Sequence, residues 1–203
     1  TMEEQISRIA AQVADRLFVE VEASGRHVHL TKDQAMTLFG HGLTPKRPLS
    51  QPGQFVCQER VEVLGPKGSF PKVAVLGPER KEGQVEISLT DGVTLGLTAP
   101  VRLSGQVRES PGITLRGPKG EVRLDHGVIV AQRHIHMPPE EAAARGLTDG
   151  QVVRLKMFTA RPLVFDDVVV RVDPSFTPRV HIDFDEANAC AYQSGDFGMI
   201  IRG

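Results

Sequence analysis

The sequence predicts a mainly β protein built from two related antiparallel β-barrel-like domains with a few short helices. Short runs rich in Val, Ile and Leu recur along the 203 residues, and 20 dispersed glycines and 14 prolines punctuate them. Short strands between Gly/Pro turns are typical of sandwiches and barrels. The long helices that a parallel α/β sheet needs between its strands are missing. In addition, a set of motifs in the first half of the chain recurs in the second half.

The apolar runs themselves are the predicted strands, and four other segments are predicted to be helical. The predicted strands lie at residues 61–64, 73–76, 85–89, 93–97, 113–115, 122–124, 128–130, 152–157, 168–172, 180–182 and 198–201. The first helix has apolar residues at 3.6-residue spacing, the second opens on a capping box, the third is alanine-rich, and the fourth starts at an acidic pair. The residues that mark them are, for the first helix, Ile6, Ile9, Val13 and Leu17, and for the second, Thr31, Gln34 and Gly40. The third helix covers residues 139–145, and the fourth starts at Asp185.

The repeat consists of three motifs in the same order in both halves: an Arg-His-x-His strand, a Gly-Leu-Thr segment, and a Val-x-Ile strand with a polar centre. The copies are Arg26-His27-Val28-His29-Leu30 and Arg133-His134-Ile135-His136-Met137, Gly42-Leu43-Thr44 and Gly146-Leu147-Thr148, and Val85-Glu86-Ile87 and Val180-His181-Ile182. We therefore predict an N-terminal amphipathic helix over residues 1–19, a first β domain over 20–108 and a second over 109–203. Small residues from Ser104-Gly105 to Gly112 mark the predicted boundary.

Composition excludes several classes of function. Lys and Arg number 24 and Asp and Glu number 25, so no global basic excess favours nucleic acid or an anionic membrane. No apolar run approaches the roughly 18 residues of a membrane span, and the first residues lack the apolar region of a signal peptide. Cys57 and Cys190 form no CxxC motif, so we expect two reduced cytosolic thiols with no nucleophilic role.

The paired histidines predict metal binding. In a strand, residues i and i+2 point to the same face, about 6.5–7 Å apart, so both imidazoles of each pair can reach one ion. The residues between them, Val28 and Ile135, then face the packed side. The polar centres of the Val-x-Ile strands, Glu86 and His181, offer a third ligand to each half. Imidazole and carboxylate suit Zn²⁺, and three protein ligands leave a position open for substrate. The single histidines, His41 and His126, are expected to be structural or surface groups.

The arginines divide into two kinds. Arg26 and Arg133 directly precede the histidine pairs, so in regular strands they point away from the ligands and have a structural or rim role. Arg80 lies in a tight turn before the Glu86 strand, where a planar, bidentate guanidinium could meet phosphate. Motifs of nucleotide-triphosphate cradles and serine esterases are absent.

In combination, these residues resemble the PduL-type phosphate acyltransferases, also called phosphotransacylases or phosphate propanoyltransferases. The resemblance runs from about residue 20 to the C-terminus. It rests on the two Arg-His-x-His strands, on the segment from Leu43-Thr44-Pro45 to Gly53-Gln54-Phe55, on Gly77-Pro78-Glu79-Arg80 with Gln84-Val85-Glu86-Ile87-Ser88, and on His181-Ile182-Asp183 with Asp185-Glu186-Ala187-Asn188-Ala189.

The resemblance implies two β-barrel-like domains with an active site in the cleft between them and two metal ions, usually zinc. Carried over by motif, the metal ligands are His27, His29 and Glu86, and His134, His136 and His181. Arg80 carries over as the catalytic arginine, and Ser24 and Asn188 as coenzyme A contacts. Many relatives have Asn at the position of Gly25, which affects any contact from that side chain but not the metal site.

The implied reaction is acyl-CoA + phosphate ⇌ acyl phosphate + CoA. Because the sequence shows no activated nucleophile, we expect direct attack of metal-bound phosphate on the thioester, without an acyl-enzyme. The acyl chain is short, propanoyl or acetyl. The implied location is the cytoplasm or the interior of a bacterial microcompartment, as in propanediol degradation. In microcompartment members the N-terminal helix is an encapsulation tag that binds shell or core proteins; the alternative is a helix packed on its own domain. Nucleic acid and membrane partners are not expected, and a homo-oligomer stays open.

Three other readings of the sequence remain at this point. A purely structural two-barrel scaffold is one of them, but it leaves the paired histidine motifs unexplained. A dimetal hydrolase would direct water at the thioester and would need no phosphate. A noncatalytic metal-binding β module would hold or bridge metal only. The ligand types also accept Co²⁺, Ni²⁺ and Fe²⁺, so the sequence leaves the native metal open.

Overall fold

A computed structural model describes residues 1–201, over which the chain forms five helices and fifteen strands. The mainly β fold predicted from the sequence is confirmed, and so are all four predicted helices. The helices are α1 (Met2–Leu17), α2 (Lys32–Phe39), α3 (Leu89–Leu95), α4 (Pro139–Ala144) and α5 (Phe184–Ala189). None of these helices has both the length and the apolar character required to span a membrane.

Nine of the strands in residues 1–201 form one sheet: β2 (His27–His29), β3 (Pro45–Pro48), β4 (Phe55–Leu64), β5 (Ser69–Gly77), β6 (Gln84–Ile87), β7 (Val101–Arg102), β8 (Ile113–Arg116), β9 (Glu121–Leu124) and β10 (Val128–Ala131). Eight of them follow the order β7-β10-β6-β2-β5-β4-β8-β9, and β3 pairs with β4 outside this order. Its core is aliphatic, and Val28 lies completely buried within it.

The six remaining described strands are β1 (Phe18–Ser24), β11 (His134–Met137), β12 (Val152–Met157), β13 (Val164–Val172), β14 (Arg179–Asp183) and β15 (Phe197–Ile201). They form a closed barrel in the order β1-β14-β11-β13-β12-β15. Ile135 lies completely buried in the barrel core. Val28 and Ile135 therefore face the packed sides, as the alternation of the histidine strands predicts.

By its internal contacts the chain divides into two units. The sheet unit comprises Ser24–Gln132 and Asp183–Asp185, and the barrel unit comprises Thr1–Ala23, Arg133–Ile182 and Glu186–Gly203. The predicted boundary between residues 108 and 109 thus differs from the observed division at residue 132. The reason is strand pairing, since β8 pairs with β4 and β10 pairs with β6, which keeps residues 113–131 in the first sheet.

Two details of secondary structure differ from the sequence predictions. Residues 93–97, predicted as a strand, belong largely to α3, because Ser88 and Asp91 form a capping box and Gly96 ends the helix in a left-handed conformation (φ 78°). Both sheets also contain parallel pairs, including β2 with β5 and β11 with β13. An apolar run carries no signal that distinguishes a parallel neighbour from an antiparallel one.

The repeat extends to strand register. Each histidine strand lies between an antiparallel strand that carries the predicted third ligand and a parallel strand from the same unit. In the antiparallel pairs, His27 is opposite Glu86 and His134 is opposite His181. The two units thus use the same local arrangement of three strands.

An arginine–carboxylate pair supports each histidine strand. Arg26 Nη2 lies 2.6 Å from Asp91 Oδ1 in α3, and Arg133 Nη1 lies 2.8 Å from Glu186 Oε1 in α5. Each carboxylate follows the third-ligand position by five residues. The guanidinium of Arg26 also stacks over Phe70, with 4.0 Å to the ring centroid. Both arginines thus have the structural role that their position predicts.

The N-terminal helix is anchored where it joins β1. The guanidinium of Arg145 is buried and donates to the backbone carbonyls of Asp15, Arg16 and Phe18, where α1 meets β1. Along the helix itself no described residue is buried, and the apolar face stays exposed. A cationic group on the last carbonyls of a helix also interacts favourably with the helix dipole.

Replacing Asp91 with Ala is expected to lower the free energy of unfolding by about 2–4 kcal/mol. The change removes the bond from the Ser88 backbone to Asp91 in the α3 capping box, worth about 1 kcal/mol, and a hydrogen bond from a charged group, worth about 1.5–3 kcal/mol. Urea denaturation followed by far-UV circular dichroism measures the loss. Glu121→Ala is the matched control, because Glu121 pairs with Arg116 at 2.5 Å but its side chain is 51% exposed, against 8% for Asp91. Equal midpoints for the two variants would contradict the structural role of the Arg26–Asp91 pair.

Candidate functional site

The first candidate site, the His–His–Glu cluster, consists of His27, His29 and Glu86. All three side chains are buried, and one ligand atom from each lies within 4.8 Å of the others. His27 Nε2 lies 3.4 Å from Glu86 Oε2, and His29 Nε2 lies 3.7 Å from Glu86 Oε1. Two ligands at about 2.0–2.1 Å from a tetrahedral zinc ion would be about 3.3 Å apart. The spacing therefore matches that of metal ligands with little adjustment.

The backbone orients the ring of His27. Its Nδ1 atom lies 2.9 Å from the carbonyl oxygen of Gly25, which can only accept a hydrogen bond. Nδ1 therefore carries a proton, and Nε2 is the ring nitrogen directed at Glu86. A hydrogen bond at the other ring nitrogen fixes the tautomer in this way at many metal-ligating histidines.

Burial and the shared carboxylate determine the protonation of this cluster. Burial lowers the pKa of His27, but the charge and hydrogen bond of Glu86 outweigh burial, so the pKa is raised overall. Burial raises the pKa of Glu86, and His27 outweighs it, so the carboxyl pKa lies well below its usual range. Burial, with the nearby charges of His27 and Arg80, lowers the pKa of His29 to about 4. Near neutral pH the cluster thus holds an ionised carboxylate and a neutral His29, both in ligand form.

The second candidate site, the three-histidine cluster, consists of His134, His136 and His181 on β11 and β14 of the barrel. One ligand atom from each lies within 4.8 Å of the others. The rings of His134 and His181 stack with centroids 5.1 Å apart, and the ring of His136 lies 4.7 Å from that of His181. His181 Nδ1 lies 3.8 Å from Glu22 Oε2, which places a carboxylate beside this imidazole.

His136 is kept neutral by its surroundings. Burial lowers its pKa to about 3, with further contributions from His134 and Arg171. The ring also packs against Phe176, with centroids 4.1 Å apart. A neutral imidazole in a fixed orientation is the form that binds a metal ion.

Both clusters fit a metal ion by their donor atoms. In each cluster, three buried or half-buried side chains bring one ligand atom each within 4.8 Å of the others, which is the convergence that a single ion requires. Imidazole and carboxylate donors fit Zn²⁺ and other divalent first-row ions.

Arg80 lies in the loop between β5 and β6, in the same unit as the His–His–Glu cluster. Its backbone N–H donates to the carbonyl of Leu30, one residue beyond the β2 histidines, at 2.8 Å. Its Nη1 donates to Ser104 Oγ at 2.9 Å. The charge of Arg80 is close enough to lower the pKa of both His27 and His29. The structure therefore brings this cation to the cluster that the sequence associated with it.

The two residues predicted to contact coenzyme A lie in different units. Ser24 is half-buried at the end of β1 and Asn188 is exposed on α5. Near Ser24, a Cβ at Gly25 would lie 2.8 Å from the ring of Phe184, so any other residue there would have to displace this ring. The absence of a side chain at Gly25 thus allows Phe184 to pack over the backbone.

The remaining histidines and cysteines lie outside both clusters. His41 is exposed beside Glu59, with 3.7 Å between Nδ1 and Oε1, and His126 is exposed beside Glu82. Both thiols are free and completely buried. Burial raises the pKa of Cys57 to about 12 and also raises the pKa of Cys190.

Sequence analysis missed three residues close to the clusters. Gln84 donates to Glu86, Ser104 contacts both Gln84 and Arg80, and Arg171 is opposite His136 in the parallel pair of β11 and β13. Gln84 precedes Glu86 by two residues, so strand alternation could have found it. Ser104 had no such signal, because small residues after β7 read as a domain boundary. The partner strand that brings Arg171 to His136 cannot be recognised from local sequence.

Comparison with known proteins adds independent evidence. A family model described as phosphate propanoyltransferase matches residues 20–193. The phosphate propanoyltransferase of Enterococcus faecalis is 52% identical over 203 residues, which cover 99% of this chain and 95% of that protein. The protein of the same name from Clostridioides difficile is 51% identical over 203 residues, which cover 99% and 97%.

A more distant relative has the same name. The phosphate propanoyltransferase of Thermotoga maritima is 47% identical over 185 residues, covering 90% of this chain and 88% of that protein. The resemblance inferred from the motifs is thereby confirmed. Because the family model spans most of the chain and these relatives align over nearly all of it, the chain belongs to the phosphate propanoyltransferase family of acyltransferases.

Proposed function

We propose that this protein is a metal-dependent phosphate acyltransferase that interconverts a short acyl-CoA and phosphate with an acyl phosphate and CoA. The observation that carries the proposal is the pair of three-ligand clusters, one of them accompanied by Arg80, in a member of this family. Propanoyl is the preferred acyl group, by the names of the relatives, and acetyl is the closest alternative.

In the forward reaction an oxygen of phosphate attacks the carbonyl carbon of the thioester. The new C–O bond forms, the C–S bond breaks, and the thiolate of CoA leaves and takes up a proton. Phosphate is a weak nucleophile, so catalysis depends on holding it beside the carbonyl and on stabilising the charge that develops there. The reverse reaction uses the same groups.

His27, His29 and Glu86 would hold one metal ion, and His134, His136 and His181 would hold another. Zinc bound in these clusters would supply positive charge and Lewis acidity for the reaction of an anionic substrate. Arg80 supplies a planar guanidinium that binds phosphate oxygens in a bidentate manner and stabilises the transferring group. Ser24 and Asn188 are the proposed contacts of coenzyme A.

Direct transfer without an acyl-enzyme is the proposed path. A thiol nucleophile must be accessible and able to ionise, whereas Cys57 and Cys190 are completely buried and burial raises the pKa of both. Both substrates must then be bound together. Initial-rate plots are expected to intersect, and parallel lines would reject direct attack.

The purified protein is expected to release thiol from propanoyl-CoA only when phosphate is present. Removal of metal with a chelator should abolish release and Zn²⁺ should restore it, because the clusters would lose and regain their ions. A thiol-reactive dye follows the reaction, with acetyl-CoA run in parallel to compare chain lengths.

The other outcomes of this experiment identify the competing functions. Metal-dependent release that needs no phosphate would indicate a thioester hydrolase. Bound zinc without release under any condition would indicate a noncatalytic metal-binding module. Release that survives complete removal of metal would contradict the metal dependence.

Substitution of one ligand in either cluster is expected to remove one of two zinc ions per chain. Glu86→Gln keeps the size of the side chain but loses the charge that attracts the ion, and His181→Gln removes an imidazole from the other cluster. Activity should fall by about 100-fold or more, since charge stabilisation at a reacting centre is typically worth this much. Elemental analysis after gel filtration measures the zinc content.

His126→Gln is the matched control, because this histidine is exposed and outside both clusters. It should retain two zinc ions and full activity. If Glu86→Gln and His181→Gln retained as much zinc as His126→Gln, the proposed ligand sets would be wrong.

For the N-terminal helix we propose a role in binding a microcompartment shell or core protein. Ile6, Ile9, Val13 and Leu17 are exposed along one face of α1, and a helix with an uncovered apolar face can dock into the groove of a partner. A location inside a bacterial microcompartment is part of this proposal.

Deletion of residues 1–14 is expected to preserve thiol release and to abolish co-purification with shell proteins. This cut retains the carbonyls of Asp15, Arg16 and Phe18 that bind Arg145, so the barrel keeps its contacts there. A full-length variant with Ile9→Gln and Val13→Gln should lose shell binding, whereas Arg8→Gln on the other face should not. Aggregation of the truncated protein, or shell binding by the double variant, would contradict a docking role.

A further inference from the structure

Gln84 occupies an unusual position for an amide, because it is only 2% exposed and lies on the ligand-bearing face of β6. It precedes Glu86 by two residues and is opposite His29 in the antiparallel pair of β2 and β6. Burying an amide is unfavourable unless its hydrogen bonds are made. The partners of Gln84 therefore indicate what the residue does.

Three hydrogen bonds satisfy the amide of Gln84. Its Oε1 accepts from the backbone N–H of Gly105 at 2.8 Å. Its Nε2 donates to Glu86 Oε1 at 2.6 Å and to Ser104 Oγ at 2.8 Å. An amide nitrogen has two hydrogens, so both are used.

These partners allow only one orientation of the amide. The backbone N–H of Gly105 can only donate, and an ionised carboxylate can only accept. A flipped amide would put two donors against each other at Gly105 and two acceptors against each other at Glu86. The orientation of Gln84 is therefore fixed by chemistry.

Ser104 extends the connection to Arg80. Its hydroxyl oxygen accepts from Gln84 Nε2 and, at 2.9 Å, from Arg80 Nη1. The two lone pairs of this oxygen are thus used by two donors. An uninterrupted hydrogen-bonded chain runs from Arg80 through Ser104 and Gln84 to Glu86.

This series of hydrogen bonds determines the geometry of the carboxylate in the His–His–Glu cluster. With Oε1 of Glu86 held by Gln84, the other carboxylate oxygen, Oε2, faces His27 Nε2 at 3.4 Å. Gln84 thereby determines which oxygen is turned to the imidazole. The same hydrogen bonds also connect the guanidinium of Arg80, a loop residue, through Ser104 to Gln84 on the sheet.

The corresponding position in the barrel holds a different residue. Two residues before His181 the chain has Arg179 in place of Gln84, and Arg179 pairs with Glu20. Folding of the repeated three-strand arrangement therefore does not require a buried amide at this point. The amide is present in the unit that has both a carboxylate ligand and the associated arginine.

We propose that Gln84 and Ser104 are positioning residues: Gln84 orients Glu86 for the metal ion, and Ser104 holds Arg80 for phosphate. This inference rests on the proposed function and assigns each of the two residues its own measurable effect. Neither residue is proposed to touch the reacting atoms.

Gln84→Met is expected to weaken zinc binding at the His–His–Glu cluster by roughly 10–100-fold, the usual effect of losing a partner of a metal ligand. Competition with a chromophoric chelator measures this affinity without any turnover, and the other cluster should keep its affinity. Ser104→Ala preserves the bond from Gln84 to Glu86. It should therefore leave zinc affinity unchanged and raise the KM for phosphate several-fold.

Gln106→Met is the matched control, because it makes the same change at an exposed residue of the same loop. It should retain zinc affinity and both kinetic constants. Thermal melting of each variant separates positioning from folding, and Ser104→Ala provides the test if Gln84→Met fails to fold.

Two results would overturn the inference. One is a Gln84→Met protein that melts at a lower temperature but keeps the zinc affinity of Gln106→Met, which would make Gln84 a purely structural amide. The other is a Ser104→Ala protein with an unchanged KM for phosphate. Failure of the proposed function gives a different result, since wild-type protein would then release no thiol in response to phosphate while chelator competition still reported the effect of Gln84.

Discussion

The antiparallel pairing between each histidine strand and its partner is the constraint on which the rest of the site depends. In that register His27 is opposite Glu86 and His134 is opposite His181. A slip by one residue would turn the third ligand to the opposite face and place an aliphatic side chain beside the imidazoles. The cores enforce the register, because Val28 and Ile135 are completely buried between their flanking histidines. Packing of the apolar face thus assembles the polar one.

The arginine–carboxylate pairs act on the same register from the other side. Arg26 and Arg133 precede their histidine strands, and the carboxylates they bind come five residues after the third ligand. Each pair therefore joins the start of one strand to the helix that follows its partner. Removing one partner of a partly buried ion pair lowers stability, because the other charge is left unpaired, whereas replacing both partners with apolar residues often does not. Such a pair therefore contributes little net stability, which is consistent with a role in fixing strand register.

The sequence was informative where the physics is local. Strand alternation put His27 with His29 and His134 with His136, and the capping box of Thr31 and Gln34 marked a helix that the structure contains. It failed where composition is ambiguous. Ser104 and Gly105 were interpreted as part of a domain boundary, yet they fold back and hydrogen-bond to Gln84. Turn-forming residues have the same composition in a linker and in a loop that packs on a site, and only the tertiary contacts distinguish them.

The electrostatics of the two clusters explain why neutral groups separate Arg80 from Glu86. The His–His–Glu cluster contains an anionic ligand and the three-histidine cluster contains none, so equal divalent ions would leave less positive charge in the former. In the proposed function, Arg80 would offset this difference for an incoming phosphate only while its charge is directed at the anion. A direct ion pair between Arg80 and Glu86 would neutralise both groups. Gln84 and Ser104 connect them through uncharged hydrogen bonds, which fixes the geometry and preserves both charges. In the proposed function, the buried amide is therefore the element that would let one carboxylate bind metal while a nearby guanidinium binds substrate.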